Sequence, residues 1–214
     1  MIKLFLTSSA STVISDVISR LDFSVSGKKL VFIKTAAEDL GDVNPDWLQE
    51  DRQALRTAGF LVDDYTLTGK NEAELRNDLF SYDVIFVSGG NTFYLLQEAQ
   101  KSGFLTVITD LVKSGKVYIG SSAGSVICGP DISLVSNLDD PKVAPDLDNT
   151  KGFTIVDFVI LPHWGSDYFR KLYLEDEMEH AYTLDNQIIL LNDNQYVEVQ
   201  DDWYRIVDVK KSYV

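Results

Sequence analysis

Short apolar runs alternate with amphipathic stretches over the first two-thirds of the chain, and this rhythm restricts the fold more than any other feature. The runs at 3–6, 30–33 and 83–87 end too soon for helices, as parallel strands buried on both faces do. Between the first two, residues 12–21 set Val13, Val17, Ile18 and Leu21 on one helical face. Residues 47–58 read as a second helix, with Asn44 as N-cap and Pro45 at its first position. A strand at 60–67, helices at 72–80, 93–99 and 105–112, and then the strand that carries Ser122 complete the series. Such βα alternation predicts an α/β fold, a mostly parallel sheet flanked by helices.

The last third changes character. Residues 136–151 are rich in Asp, Pro and Asn and lack periodicity, which predicts a long loop of the kind that often carries function. A strand at 158–161 runs into Pro162-His163-Trp164, and 167–182 reads as an acidic amphipathic helix. Apolar runs at 188–191, 196–199 and 203–207, joined by Asn/Asp turns, predict a short antiparallel end to the sheet. No repeat, low-complexity tract or linker interrupts the 214 residues, so 1–214 is read as one domain.

The apolar run Val117-Tyr118-Ile119 ends in Gly120-Ser121-Ser122-Ala123-Gly124 and enters another apolar segment without a spacer. This is the G-x-S-x-G pattern, in which a sharp strand-to-helix turn lifts a serine hydroxyl above the sheet edge. Glycines two residues to either side allow the tight backbone and a close substrate. On the pentapeptide alone, a catalytic elbow and a plain Gly/Ser turn weigh equally.

A serine nucleophile requires a base, and the base an orienting carboxylate. The chain has two histidines. His163 follows a strand, as Ser122 does, and open α/β sheets set their sites at the carboxyl ends of strands. His180 lies late in the acidic helix, a place for solvation or capping. Between Ser122 and His163 the chain offers Asp131, Asp139, Asp140, Asp146, Asp148 and Asp157, and composition does not choose among them. The N–H of Ala123, next to the nucleophile, is a natural oxyanion donor. A second donor is expected from Ser88-Gly89-Gly90-Asn91-Thr92, with Asn91 capping the next helix; the plainer reading of that stretch is a strand-to-helix turn.

Other chemistries are disfavoured. No G-x-x-x-x-G-K-[ST] or G-x-G-x-x-G is present, and two distant histidines with one cysteine make no metal cluster, so neither cofactor nor metal is expected. The formal charge, 19 − 33 = −14, argues against nucleic acid and anionic membranes. A single cysteine, Cys128, excludes an internal disulfide and suits a reducing cytoplasm; its helical neighbourhood predicts a core position. The apolar start stops at Thr7-Ser8-Ser9, too short for a signal peptide, and no apolar stretch approaches the roughly 20 residues of a membrane span. The cytoplasm is the expected location.

Three blocks occur in order: Ser88-Gly89-Gly90-Asn91-Thr92-Phe93 with Leu95-Leu96, then Gly120 to Gly124, then Leu161-Pro162-His163-Trp164. Together they resemble peptidase family S51, the group of dipeptidase E (alpha-aspartyl dipeptidase) and cyanophycinase, over nearly the whole chain. The resemblance implies a class I glutamine-amidotransferase-like three-layer sandwich whose elbow bears serine in place of cysteine. It also implies Ser122 as nucleophile, His163 as general base, and Gly90 with Ala123 as oxyanion donors. The family's acidic member follows the elbow just ahead of a proline, which implies Asp139, two before Pro141, with Asp140 next. Asn91, Asp140 and Arg170 are the candidate substrate contacts.

The chain departs from the family at two points. The dipeptidases hold an N-terminal Asp with an arginine after the histidine. Here residues 165–180 offer Arg170 and Lys171, neither at the expected spacing. Ser121 stands where the family often has a bulky residue. The expected activity is therefore a serine-type peptidase acting on small peptides through an acyl-enzyme, with Asp-X specificity unsupported. Its partner is a small peptide, and a homo-oligomer is left open. The competing readings are a catalytically silent or regulatory small-molecule-binding protein on the same fold, and an esterase-like hydrolase, since the order Ser, Asp, His also fits that fold.

Overall fold

The computed structural model describes residues 2–174, 178–182 and 186–209. Its main sheet has seven strands in the order β3-β2-β4-β5-β1-β8-β9. The strands are β1 (Lys3–Thr7), β2 (Lys29–Ile33), β3 (Leu61–Tyr65), β4 (Val84–Val87), β5 (Val117–Ser121), β8 (Gln195–Gln200) and β9 (Trp203–Asp208). The first five run parallel; β8 is antiparallel to β1, and β9 to β8.

Alternate residues of the central strands point to opposite faces and build two cores. Leu4, Leu6, Val31, Ile33, Ile85 and Val87 pack against α3 (Glu72–Leu79), α4 (Thr92–Ser102) and α5 (Phe104–Lys113). Phe5, Phe32, Phe86 and Ile119 pack on the other side against α1 (Ala10–Ser19) and α2 (Asp46–Ala58). Helix, sheet and helix are thus the three layers expected. Cys128, fully buried, belongs to the first core. No helix among the described residues is long and apolar enough to cross a membrane.

The structure differs from the expectations in four places. First, α2 begins at Asp46: Pro45, extended at ψ 150°, is itself the N-cap, and its carbonyl accepts from the amides of Leu48 and Gln49. Second, the helix after Ser122 is short, α6 (Ala123–Val126), and stops before Cys128. Third, residues 167–169 form a turn rather than the start of a helix; the described helical segments of 167–182 include α7 (Arg170–Leu172) and α8 (Met178–Tyr182), and the side chain of His180 is outside the described residues.

The fourth difference concerns the apolar run at 188–191. It forms β7 (Gln187–Leu190), which pairs in parallel with β6 (Phe158–Leu161) in a separate small sheet, so only β8 and β9 make the antiparallel end. Parallel pairing needs a connection of a dozen residues or more, which the stretch 162–186 supplies. The turn at 192–194 then carries the chain back to the main sheet.

Candidate active site

β5 delivers Ser122 in a backbone conformation that side chains rarely adopt, φ 48° and ψ −111°. Surrounding hydrogen bonds hold it there. The Ser122 amide donates to Thr7 O (3.0 Å), Ser125 Oγ donates to the same carbonyl (2.7 Å), and Tyr118 OH donates to Gly124 O (2.6 Å). The flanking glycines are required by contact. A Cβ on Gly124 would lie 2.1 Å from Val87 O, and one on Gly120 would lie 2.4 Å from Gly124 O.

His163 follows β6 and is also held at positive φ, 60°. Its amide donates to Ser8 Oγ (2.7 Å), and its ring stacks on Phe169 with centroids 5.0 Å apart and planes 11° from parallel. Nε2 lies 2.9 Å from Ser122 Oγ, and Nδ1 lies 2.7 Å from Asp193 Oδ1. A carboxylate at Nδ1 places the ring hydrogen there and leaves Nε2 to accept the serine proton. Asp193 sits in a turn stabilised by Asn192 Oδ1, which accepts from the Asn194 amide (2.9 Å). Ser8, just past β1, donates its hydroxyl to Asp193 Oδ1 (2.8 Å) while accepting from the His163 amide. One serine thus fixes the base and its carboxylate relative to each other.

The carboxylate at the histidine is therefore Asp193; Asp139 is engaged elsewhere. Asp139 Oδ2 accepts from the amide and the hydroxyl of Thr92 (2.9 and 2.5 Å), at the N-terminus of α4, where amides lack helical acceptors. Burial pushes its pKa up against those hydrogen bonds, and the charge of Asp39 adds to the rise. Asp140 caps the turn at Pro141–Val143 through its side chain (Lys142 amide, 3.0 Å), and its carbonyl accepts from Asn91 Nδ2 (2.9 Å). Asn91 also caps α4, its Oδ1 accepting from the Tyr94 amide (3.0 Å).

Gly90, at φ 131°, lies so close to the 3₁₀ turn Thr35–Leu40 that a Cβ would sit 2.1 Å from Ala36 O. The Gly90 amide and that of Ala123, the first residue of α6, find no acceptor among the described residues. Arg170 lines a separate pocket of about 250 Å³ with Trp164 and Tyr173, outside the cleft over Ser122. That cleft, about 650 Å³, contains Ser122, His163, Asp193, Gly90, Asn91, Asp139 and Asp140.

Two residues at this site, Asp193 and Ser8, were not expected from the sequence. The order Ser, Asp, His places the acid before His163, whereas Asp193 follows it. Yet Asn192-Asp193-Asn194 stands directly after an apolar strand, the same kind of position that singled out Ser122 and His163.

A strained serine at a strand-to-helix turn, with a histidine on its hydroxyl and a carboxylate behind that histidine, defines the class of serine-type hydrolases. The model of peptidase family S51 matches residues 4–207, and the chain belongs to that family of serine-type peptidases. The uncharacterized peptidase Lmo0363 of Listeria monocytogenes is 34% identical over 179 residues, covering 84% of this chain and 86% of that one. Peptidase E of Shewanella amazonensis is 37% identical over 140 residues, covering 64% of this chain and 54% of that one. Among solved structures, a candidate peptidase E from Listeria monocytogenes superimposes with a TM-score of 0.86 at 30% identity, over 98% of this chain and all (100%) of that one. A peptidase from an acI-B1 actinobacterium shares the fold at a TM-score of 0.67 and 20% identity, over 97% of this chain and 88% of that one.

Proposed function

We propose that this protein hydrolyses small peptides through a Ser122–His163–Asp193 relay and an acyl-enzyme. The observation that carries the reading is the continuous contact from Ser122 Oγ to His163 Nε2 (2.9 Å) and from His163 Nδ1 to Asp193 (2.7 Å). His163 Nε2 takes the hydroxyl proton as Ser122 Oγ bonds to the scissile carbonyl carbon. Asp193 keeps the hydrogen on Nδ1 and stabilises the imidazolium that forms. The carbonyl oxygen, now negative, accepts from the amides of Gly90 and Ala123. The C–N bond breaks as His163 returns the proton to the leaving amine. Water, deprotonated by the same nitrogen, then clears the ester and restores Ser122. Every proton is carried by His163, so the sequence of steps requires no cofactor.

A serine-directed fluorophosphonate should label the wild type and leave Ser122→Ala unlabelled. A dipeptide library should be cleaved by the wild type and spared by Ser122→Ala and His163→Ala, with losses of at least about 10³-fold. Equal activity in all three proteins would remove the mechanism. Hydrolysis of simple esters without any peptide would replace it with the esterase reading.

A further inference from the structure

The cleft over Ser122 contains five aspartates, Asp39, Asp51, Asp139, Asp140 and Asp193, and no Lys or Arg among the described residues that line it. Asp51 is the informative one. It is 4% exposed, and the Ser11 amide donates to its Oδ1 (2.7 Å). The hydroxyl of Ser121, the residue just before the nucleophile, also hydrogen-bonds it. None of its partners is a cation: among the described residues no Lys, Arg or His forms an ion pair with it. Buried carboxylates are ordinarily paired with positive charge, because hydrogen bonds to neutral donors leave most of the desolvation cost in place.

Trp47 lies one helical turn before Asp51 on α2, so both side chains project from one face. Both line the cleft. The edge of the Trp47 ring flanks the Gly89 turn: a Cβ on Gly89 would lie 3.7 Å from Trp47 Cζ3 and 3.3 Å from Ser122 Cβ. An aromatic ring and a carboxylate without a counter-charge, both beside the nucleophile, form a receptor for an organic cation. Asp39 and Asp139 add negative potential to the same cleft. The basic residue that follows Asp51 on the helix, Arg52, is engaged elsewhere and donates to Asp64 through Nε and Nη2 (2.9 and 3.1 Å).

We propose that this site selects peptides whose residue donating the scissile carbonyl carries a cationic side chain, lysine or arginine, held by Asp51 and Trp47. The inference rests on the peptidase reading above and adds its substrate class. An aspartyl side chain in the same position would meet like charges with no compensating cation, which costs binding and transition-state stabilisation together. Charge sets the preference, and a cleft of about 650 Å³ has the volume for either long basic side chain.

Matched substrates test the charge directly. The wild type should cleave Lys-X and Arg-X dipeptides at least about tenfold more efficiently, in kcat/KM, than norleucine-X, and more efficiently still than Asp-X. The lysine-to-norleucine ratio should fall about tenfold in Asp51→Asn. Because Asp51 is buried, the exposed Asp39→Asn serves as the variant whose folding is not in question, and it should lower the ratio about twofold to threefold. N-acetyl-lysyl p-nitroanilide separates the two cations of a peptide. A preference retained in the acetylated substrate identifies the side chain, whereas cleavage of free-amine peptides regardless of side chain assigns the cation to the α-ammonium and overturns the proposal. A ratio unchanged in both variants, or Asp-X cleaved as well as Lys-X, overturns it too. In those cases peptide hydrolysis persists; absence of any hydrolysis together with an unlabelled Ser122 would instead remove the peptidase reading and this inference with it.

Discussion

Asp139 and Asp193 come from different loops, line the same cleft and accept hydrogen bonds of similar length, yet they are committed to different structures. Asp139 holds the first amide of α4 and the Thr92 hydroxyl; Asp193 holds the Nδ1 edge of His163. The loop carrying Asp139 is long and follows the elbow, so it meets every expectation drawn from chain order. The turn carrying Asp193 is short, comes after the histidine, and stands where β7 ends and β8 begins. A carboxylate's role here follows from the strand end it occupies and from what Ser8 ties it to, rather than from its order along the chain.

The largest expected effect separates the two residues. Asp193→Asn offers Nδ1 an amide that cannot accept as a carboxylate does, and should lower kcat on the order of 10³-fold with a smaller change in KM. Asp139→Asn retains an acceptor for the Thr92 amide, because Asn caps as well as Asp, and should lower kcat less than about tenfold. Steady-state kinetics on one dipeptide settle the matter. If Asp139→Asn proves the more damaging variant, the comparison is reversed.

Much of this was legible in the sequence, because the decisive patterns are local. Alternating apolar runs specify strands buried on both faces, and the contacts at Gly120 and Gly124 leave no room for a side chain at either position. His163 was recognisable as a residue just past a strand. Asp193 was not, because its role depends on a turn folding back across 30 residues to the histidine. Ser8 was less visible still: it lies 155 residues from the amide it receives, and a serine after a strand has no distinguishing pattern. The placement of β7 is hidden for a similar reason. Its apolar run states that it is a strand, while its partner is chosen by the length of the connection at 162–186.

A third aspartate extends the comparison to pH. Burial lifts the pKa of Asp51 from 3.8 to about 6, against the hydrogen bonds from Ser121 and Ser11. Because its native pKa lies above the unfolded value, its contribution to stability is complete below pH 3.8 and is lost as the pH rises through about 6. The loss amounts to roughly 3 kcal/mol for a shift of this size. Urea denaturation at pH 4 and pH 7 should therefore show Asp51→Asn gaining most of that, roughly 2 kcal/mol or a little more, relative to the wild type across the interval. Parallel profiles would mean that Asp51 keeps an ordinary pKa and that the cleft stores no such cost.

The smallest effect tests the tie between His163 and Asp193. Ser8→Ala removes the acceptor for the His163 amide and the donor to Asp193, while Ser122 keeps its own bond to Thr7 O. The elbow should survive, and the base and its carboxylate should lose their common reference. Two hydrogen bonds between a buried hydroxyl and partly exposed partners are worth about 1–2 kcal/mol, which sets the expected fall in kcat near tenfold. KM should stay within about twofold, since no substrate contact is assigned to this hydroxyl. Ser8→Thr restores an oxygen that can both accept and donate, and recovery of kcat in that variant would distinguish positioning from mere packing. A loss in Ser8→Ala carried by KM alone would show that Ser8 acts on the substrate, and that Asp193 keeps its place at His163 without it.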